Sequence, residues 1–278
     1  QKNKMLTHTH LSQIDKKGYT LIENFLNLKE VNLWIDFFKQ MGNEIKRDII
    51  NEKRGIKRKY KEATIVIDPY KGQRHLSKIQ RTMIQTKQGK DFIDRGSELL
   101  QSINPNLIFF KDRYIIQAPG MPGLLPHQDN SAVFHEEIAR AYYTIYIALT
   151  PTTEEGGCLF VENLPKKRIK NLGMCDVGCV QLDTECACAA AGVGPEEIKN
   201  YKGYNMKPIP MSAGDCIILD GWILHGTALN NGNSFRKTLT INYIEPKDSV
   251  QKLNRDYINP REDRLIAIKN EQEQNYVH

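Results

Sequence analysis

The chain has 278 residues, of which 40% are hydrophobic and 26% are charged, a composition typical of a folded globular protein rather than a disordered one. Its formal charge of +6 is mild, and its densest basic stretch, residues 53–61, contains a single aromatic residue, so we expect no nucleic-acid partner. No stretch approaches about 18 consecutive apolar residues, and we therefore expect no membrane-spanning segment.

The first hundred residues are predicted to be mainly helical. Apolar residues recur at helical spacing over residues 28–41, and a second helical stretch covers residues 90–103, where Asn104-Pro105 prevents its continuation. Residues 47–72 lie between these helices and are charged and weakly patterned. They are predicted to form a long loop that contains one short strand at residues 63–67.

From residue 107 onward the sequence changes to short apolar and β-branched runs separated by turns. The predicted strands cover residues 107–117, 142–149, 158–161, 216–219, 222–224 and 236–245. Alternation within the second of these runs places Tyr143 on one face and Thr144 on the other. Short strands that follow a helical region predict an α+β domain built on a β-sandwich or barrel.

Residues 163–206 interrupt this pattern and are interpreted as an insertion, or lid, near the mouth of the barrel. Four of the six cysteines lie there, from Cys175 to Cys188, and their spacing C-x3-C-x6-C-x-C does not match the hooks of structural zinc sites. Free thiols in a reducing compartment are the simplest interpretation, with a loop disulfide or an accidental metal site as alternatives. We therefore expect a cytoplasmic protein. We also expect a monomer or a weak homo-oligomer.

We expect a single domain over the whole chain. Its predicted parts are a mainly helical region over residues 1–106, a β-rich core over residues 107–245 and a tail over residues 246–278.

Three residues have the chemistry of a metal site. His127 and Asp129 are two residues apart where a new strand is expected to begin, so both side chains would point to one face. His225 lies near the end of a later predicted strand. Two neutral imidazoles and one carboxylate on one side of iron(II) leave adjacent coordination positions for a co-substrate and O2. An H-x-D triplet alone is weak evidence, and a structural histidine is the alternative interpretation of His225.

A candidate anion site follows His225 in the sequence. Thr227 comes two residues later, and Arg236 begins the last predicted strand. We expect a hairpin between these strands to place the hydroxyl and the guanidinium near the metal. An arginine there could hold the far carboxylate of a diacid that chelates the iron.

Three further side chains are candidate substrate contacts. Arg113 has the same strand parity as Gln117 and is a candidate contact for an anion. Tyr143 and Trp222 could stack against a substrate, with packing in the core as the alternative for both.

Taken together, these residues resemble the phytanoyl-CoA dioxygenase-like (PhyH) branch of the iron(II)/2-oxoglutarate oxygenases. Further matching segments are GYTLIENFL at residues 18–26, IQAPG at 116–120, PHQD at 126–129 and EEGGCLFV at 154–161. The resemblance implies a double-stranded β-helix, or jelly-roll, core with flanking N-terminal helices. It implies that His127, Asp129 and His225 are the iron ligands.

The resemblance also implies the co-substrate site. Arg236 and Thr227 would hold the C5 carboxylate of 2-oxoglutarate, and Gln117 would contact the co-substrate more loosely. The chain departs from the family at residues 162–166, which read ENLPK where the family usually has Pro-Gly-Ser-His after the glycine turn. That loop normally flanks the substrate, so phytanoyl-CoA is not a guide to the substrate of this chain.

The resemblance implies an enzyme that uses O2 and 2-oxoglutarate to oxidise a C–H bond, with release of succinate and CO2. We expect a small-molecule substrate of secondary metabolism, anionic or amino-acid-derived, that undergoes hydroxylation, desaturation or oxidative cyclisation of the kainoid type. The presence of Asp129 argues against halogenation, which requires a small residue at that position. The alternatives are hydroxylation of a protein or nucleic acid, and a non-catalytic jelly-roll binding module.

Overall fold

The computed structural model of the chain describes residues 5–57, 59–60, 63–130, 139–167, 169, 172 and 192–247. The helices are α1 (His8–Lys17), α2 (Leu28–Lys53), α3 (Lys87–Leu100) and the short α4 (Pro195–Lys199), with 3-10 turns at Met83–Gln85 and Tyr201–Gly203. The strands are β1 (Tyr19–Ile22), β2 (Thr64–Tyr70), β3 (Gln73–Gln80), β4 (Ile108–Gln117), β5 (Ala139–Ala148), β6 (Leu159–Glu162), β7 (Met206–Ile209), β8 (Cys216–Asp220), β9 (His225–Thr227) and β10 (Arg236–Pro246). None of the described helices is long and apolar enough to cross a membrane.

The strands form two antiparallel sheets that face each other. The larger sheet has the order β1-β8-β5-β10-β4-β3-β2, and the smaller sheet has the order β7-β6-β9. The mixed α+β architecture agrees with the prediction. Strand β10 lies between β4 and β5, with Thr240 opposite both Arg113 and Tyr146. Because side chains alternate along a strand, these neighbouring strands present matching rows of residues to each face of the sheet.

Helices α1 to α3 pack on the outer face of the larger sheet. Helix α2 begins at a capping box in which Asn27 accepts a hydrogen bond from the Glu30 N–H and Glu30 accepts one from the Asn27 N–H. The helix continues to Lys53, well beyond the predicted end at residue 41, because its buried stripe extends through Ile45. The predicted loop over residues 47–72 was therefore wrong over the last turns of α2. Most charged residues there lie on the solvent side, but Asp48 lies in the buried stripe, and this mixture obscured the periodicity.

A second difference from the prediction is the hairpin of β2 and β3. One strand was expected at residues 63–67, and β3 was missed because its sequence, QRHLSKIQ, is mostly polar. Strand β3 pairs with β4 at Ile79, which lies opposite Tyr114 and is fully buried. Together with β1, this hairpin joins the larger sheet, so the N-terminal hundred residues contribute strands as well as helices.

Four apolar clusters of buried residues lie in the described structure, and the smallest contains Ala139, Tyr142 and Ile244. The main cluster lies between the helices and the larger sheet and includes Phe38, Ile145 and Tyr243. A second cluster lies between the two sheets, and a third lies on the outer side of the smaller sheet, against α4. Cys158 and Cys216 are buried and belong to no disulfide, as the free-thiol interpretation expects, whereas the cysteines from Cys175 to Cys188 fall outside the described residues.

Asp112 on β4 is a buried carboxylate that should make the stability of the fold depend on pH. It accepts hydrogen bonds from the Thr82 N–H (3.1 Å) and the Met83 N–H (3.3 Å), yet burial raises its pKa from 3.8 to about 6. A carboxyl group with a raised pKa in the folded state binds protons more tightly there than in the unfolded chain. Its contribution to stability is therefore largest below pH 4 and is lost as the pH rises through about 6.

We expect the free energy of unfolding of the wild type to rise, relative to that of Asp112→Asn, as the pH falls from 7 to 4. The rise should be up to about 3 kcal/mol, because each unit of pKa difference corresponds to about 1.4 kcal/mol. Urea unfolding of both proteins at several pH values measures this difference. Asp91→Asn, an exposed substitution on α3, is the control. A wild-type-to-variant difference that is constant with pH would contradict the prediction.

Candidate metal centre

His127, Asp129 and His225 lie close together at one edge of the space between the sheets. One ligand atom from each residue lies within 4.8 Å of the other two. The Nε2 atom of His127 is 3.8 Å from Oδ1 of Asp129, and Nε2 of His225 is 3.8 Å from Oδ2 of the same carboxylate. Two imidazole nitrogens and one carboxylate oxygen fit an iron(II) ion bound from one side.

Backbone pairing brings the two histidines together. The His127 N–H donates to the His225 carbonyl at 2.8 Å, and the His225 N–H donates to the His127 carbonyl at 2.9 Å. His127 thus lies in an isolated bridge rather than in a new strand, and His225 begins β9 rather than ending a strand. The strand predicted at residues 222–224 is wrong, because those residues form the turn that leads into β9.

Each histidine ring is oriented by the carbonyl two residues earlier in the chain. Nδ1 of His127 is 2.8 Å from the Leu125 oxygen, and Nδ1 of His225 is 3.1 Å from the Ile223 oxygen. An Nδ1–H that donates to a carbonyl leaves the lone pair on Nε2, which is the atom that faces Asp129. Both rings therefore present their metal-binding nitrogen to the same point.

The charge states also suit a metal site. Burial, with a smaller effect of the neighbouring His225, lowers the pKa of His127 to about 4, so this ring is neutral at pH 7. Burial by itself would raise the pKa of Asp129. Electrostatic interactions with His225, His127 and Arg113 outweigh burial and hold the pKa of this carboxyl well below its usual range. The centre therefore offers a neutral His127 imidazole and an ionised Asp129 carboxylate.

A hydroxyl that the sequence analysis did not identify supports Asp129. The Thr144 hydroxyl donates to Oδ2 of Asp129 at 2.6 Å, and the Asn242 side-chain amide donates to the Thr144 oxygen at 2.8 Å. The sequence contained one signal for this contact, since alternation along β5 placed a threonine on the opposite face from Tyr143.

A cavity of about 440 Å³ opens beside the metal ligands, between the two sheets. Its lining includes all three ligands and four of the other predicted site residues: Arg113, Gln117, Thr227 and Arg236. Arg113 and Gln117 share this face, as their strand parity predicts. Within the described chain, the Nε atoms of Arg113 and Arg236 are buried and have no hydrogen-bond partner.

Thr227 and Arg236 reach this cavity from opposite sheets. The predicted hairpin between their strands is wrong, because β9 pairs with β6 in the smaller sheet and β10 pairs with β4 and β5 in the larger. The chain crosses between the sheets after β9, so the two residues line the cavity from different sheets. The Thr227 oxygen accepts the Leu124 N–H at 2.9 Å, which leaves the hydroxyl proton for a ligand.

The surroundings of Arg236 fit the far carboxylate of 2-oxoglutarate. Arg236 is 5% exposed, and one of its terminal nitrogens donates to the Gly157 carbonyl. That contact anchors the guanidinium, and its unpartnered Nε is one of the donors with which an arginine binds a carboxylate. Gln117, directly opposite Arg236 on β4, donates to the Met121 and Ala228 carbonyls at 2.8 and 3.2 Å. These bonds brace the loop beside the cavity.

Two candidate substrate contacts lie elsewhere. Tyr143 is on the helix-facing side of β5, in the main apolar cluster, and does not line the cavity. Trp222 does not line the cavity either. Its backbone belongs to the turn before β9, where the Trp222 N–H donates to Asp220 and the Trp222 carbonyl accepts a hydrogen bond from Gln128. The position of Tyr143 agrees with the alternative of packing in the core, whereas Trp222 is half-buried and its role stays a prediction.

Gly226, between His225 and Thr227, is a position where any side chain should disturb the metal centre. A Cβ atom there would lie 2.8 Å from both the Leu124 carbonyl oxygen and the Pro126 nitrogen, which are backbone atoms of the segment that leads into His127. We expect Gly226→Ala to push this segment away, weaken metal binding roughly 10- to 100-fold and destabilise the protein by about 1–3 kcal/mol.

Cobalt(II) titration and urea unfolding would measure both effects of Gly226→Ala. Gly192→Ala is the matched control, since a Cβ atom at Gly192 would have no neighbour within 4 Å. Metal affinity equal to that of the wild type would show that the backbone pairing of the two histidines does not depend on this close approach.

Comparison with known proteins agrees with this geometry. The chain matches the family described as phytanoyl-CoA dioxygenase (PhyH) over residues 14–238. It is 25% identical to phytanoyl-CoA dioxygenase domain-containing protein 1 of Danio rerio over 158 residues. The aligned region covers 54% of this chain and 49% of that protein. It is 28% identical to a methylphosphonate hydroxylase of Gimesia maris over 137 residues. The aligned region covers 49% of this chain and 45% of the relative. These matches span about half the length of each curated relative.

A solved structure has the same fold. The non-haem alpha-ketoglutarate-dependent carbocyclase SnoK from nogalamycin biosynthesis superposes with a TM-score of 0.58 at 15% identity, covering 89% of this chain and 88% of that one. Neighbours of this kind are jelly-roll proteins, and the two facing antiparallel sheets described above agree with the jelly-roll core implied by the sequence. With the facial arrangement of His127, Asp129 and His225, the match over most of its length shows that this chain belongs to the PhyH family of iron- and 2-oxoglutarate-dependent oxygenases.

Proposed function

We propose that this protein oxidises a C–H bond of a small, anionic or amino-acid-derived metabolite, with hydroxylation, desaturation or oxidative cyclisation as the outcome. The observation that carries the proposal is a second arginine, half-buried, in the lining of the cavity. Arg113 and Arg236 both line it, and each has a buried Nε without a partner in the described part of the chain. One guanidinium can bind the co-substrate, and the other remains for an anionic group of the substrate.

The residues have separable roles in this reaction. His127 and His225 would hold iron(II) through Nε2, with Asp129 as the third ligand, and Arg236 and Thr227 would bind the C5 carboxylate of 2-oxoglutarate. When bound, these groups supply the oxidising chemistry, in which O2 and 2-oxoglutarate are converted to succinate and CO2 as the substrate C–H bond is oxidised. The two sheets exclude water from the cavity and orient the substrate.

Arg113 is well placed to orient a substrate. It lies on β4 close enough to the metal ligands for its charge to lower the pKa values of His127 and Asp129. Tyr146 also lines the cavity, and its hydroxyl is buried without a hydrogen-bond partner among the described residues. A carboxylate or phosphonate could accept hydrogen bonds from both groups. The name of the Gimesia maris relative, methylphosphonate hydroxylase, likewise specifies a small anion.

The size of the cavity favours a small molecule over a macromolecule. Its volume of about 440 Å³ lies within the range of about 300–1,000 Å³ that is usual for small-molecule sites. The side chains of Asp129 and His225 are 8% and 9% exposed, so the metal site is enclosed rather than displayed in an open groove. Hydroxylation of a protein or nucleic acid would need a more accessible centre.

The experiment has two stages. An anaerobic titration of the protein with iron(II) and 2-oxoglutarate should produce the weak visible charge-transfer band of a chelated keto acid. Anionic amino acids, their N-alkyl derivatives and phosphonates are then screened for stimulated succinate release and a raised melting temperature. We expect Arg113→Leu to keep the band but to lose the stimulation by roughly 10- to 100-fold, as for one lost charge-assisted contact.

Arg140→Leu is the control for this variant, because Arg140 is 65% exposed on β5 and pairs with Glu245 at 3.9 Å. Absence of the band in folded wild-type protein would contradict the assignment of the metal site. Stimulation by neutral compounds alone would contradict the anionic substrate while leaving the oxygenase assignment intact.

A further inference from the structure

We propose that Thr144 and Asn242 are positioning residues that hold Asp129 as a ligand through one oxygen only. The inference rests on the proposed role of His127, Asp129 and His225 as the metal ligands. It concerns the support of the carboxylate, which neither the sequence pattern nor the family match assigns.

Asp129 needs such support because its own backbone is not part of a strand. His127 is held by its bridge to His225, but Asp129 lies in the turn that follows, where the next backbone contact is the Asn130 N–H to the Gly221 carbonyl at 2.9 Å. Among the described side chains, the hydrogen bond that directly restrains the carboxylate is the one from Thr144, at 2.6 Å.

Thr144 and Asn242, in contrast, lie in the middle of the larger sheet. They are directly opposite each other on β5 and β10, and they are 3% and 0% exposed. Each strand is paired on both sides, so the backbone under both residues is rigid. A ligand that sits in a turn is thereby connected to the most constrained part of the fold.

The direction of the hydrogen bonds sets the direction of the Thr144 proton. The Asn242 amide nitrogen donates to the Thr144 oxygen at 2.8 Å, so that oxygen acts as the acceptor. A hydroxyl has one proton, and an ionised carboxylate can only accept. The Thr144 proton is therefore directed at Oδ2 of Asp129.

This restraint has a consequence for coordination. Oδ1 and Oδ2 each lie 3.8 Å from Nε2 of one histidine, and the hydroxyl engages Oδ2, so Oδ1 would be the oxygen left to bind the metal. A carboxylate that bound through both oxygens would occupy one of the positions that the co-substrate and O2 require. The Thr144 and Asn242 pair thus keeps that position open while stabilising the negative charge of a buried carboxylate.

The test compares three variants by metal binding to the full chain. Thr144→Val keeps the shape of the side chain and removes the hydroxyl, whereas Thr144→Ser keeps the hydroxyl. Thr238→Val is the matched control, because Thr238 is a fully buried threonine on β10 whose hydroxyl has no partner in the described structure. The readouts are cobalt(II) affinity, the visible cobalt(II) spectrum, and the charge-transfer band with iron(II) and 2-oxoglutarate.

We expect Thr144→Val to weaken cobalt(II) binding roughly 10- to 100-fold, as is usual when the support of a metal ligand is removed, and to shift both spectra. Thr144→Ser should restore the wild-type spectra, and Thr238→Val should leave affinity and spectra unchanged. Wild-type affinity and spectra in Thr144→Val, or an equal loss in Thr238→Val, would overturn the inference.

A second variant keeps the inference testable if urea unfolding shows that Thr144→Val does not fold. Asn242→Leu removes the amide that orients the hydroxyl, and we expect a smaller loss of affinity with a spectral shift in the same direction. An unchanged spectrum would overturn the positioning role. Failure of the wild type itself to bind cobalt(II) would contradict the metal site, and that outcome is distinguishable from failure of the positioning role alone.

Discussion

Replacing Asp129 with alanine is expected to abolish binding of iron(II) and, with it, the charge-transfer band and succinate formation. The two histidine rings remain, but the negative charge among the three proposed ligands is lost. A metal–carboxylate contact contributes several kcal/mol, so succinate formation should fall by roughly a thousandfold or more. Cobalt(II) titration, the anaerobic spectrum and succinate release measure the three consequences.

The metal-free Asp129→Ala protein should remain folded but be destabilised by about 1–3 kcal/mol, because the buried Thr144 hydroxyl loses its acceptor. Asp68→Ala is the matched control for metal binding, since Asp68 lines the same cavity from β2 and is not a proposed ligand. If Asp129→Ala retained tight metal binding, the ligand set would have to be assigned differently.

Replacing Arg236 with glutamine should have the second-largest effect, on 2-oxoglutarate rather than on the metal. Arg236 is buried and lines the cavity, its guanidinium is anchored by the Gly157 carbonyl, and its Nε has no partner in the described chain. Loss of a charge-assisted, two-point contact costs about 3 kcal/mol, which corresponds to a roughly 100-fold rise in the dissociation constant of 2-oxoglutarate. Cobalt(II) affinity should remain as in the wild type.

Two further variants test whether the effect is specific to the guanidinium of Arg236. Arg236→Lys retains the charge but not the planar fork, and we expect it to recover only part of the affinity. Arg113→Leu should bind 2-oxoglutarate as the wild type does, because Arg113 is assigned to the substrate. Calorimetric titration of 2-oxoglutarate into the cobalt(II)-loaded proteins measures all three dissociation constants. Loss of affinity in Arg113→Leu with normal affinity in Arg236→Gln would show that the roles of the two arginines are reversed.

Local patterns predicted the elements whose residues carry strong apolar periodicity. Strands β4, β5 and β10 were placed within a few residues of their observed bounds, because alternation and β-branched residues are properties of the segment itself. The polar strand β3 was missed, since its strand conformation depends on pairing with β4. The length of α2 was underestimated because its last turns are amphipathic only in relation to the sheet beneath them.

The sequence by itself determined the donor chemistry of the site: the H-x-D spacing, a later histidine, and an arginine and a threonine after it. Only the tertiary structure decided how these residues meet. It placed Thr227 and Arg236 on opposite sheets, moved Tyr143 to the helix-facing side, and brought Asn242 to Thr144 across 98 residues of sequence. The physical reason is that residue type and spacing act along the chain, whereas strand pairing and burial depend on contacts between segments that are distant in sequence.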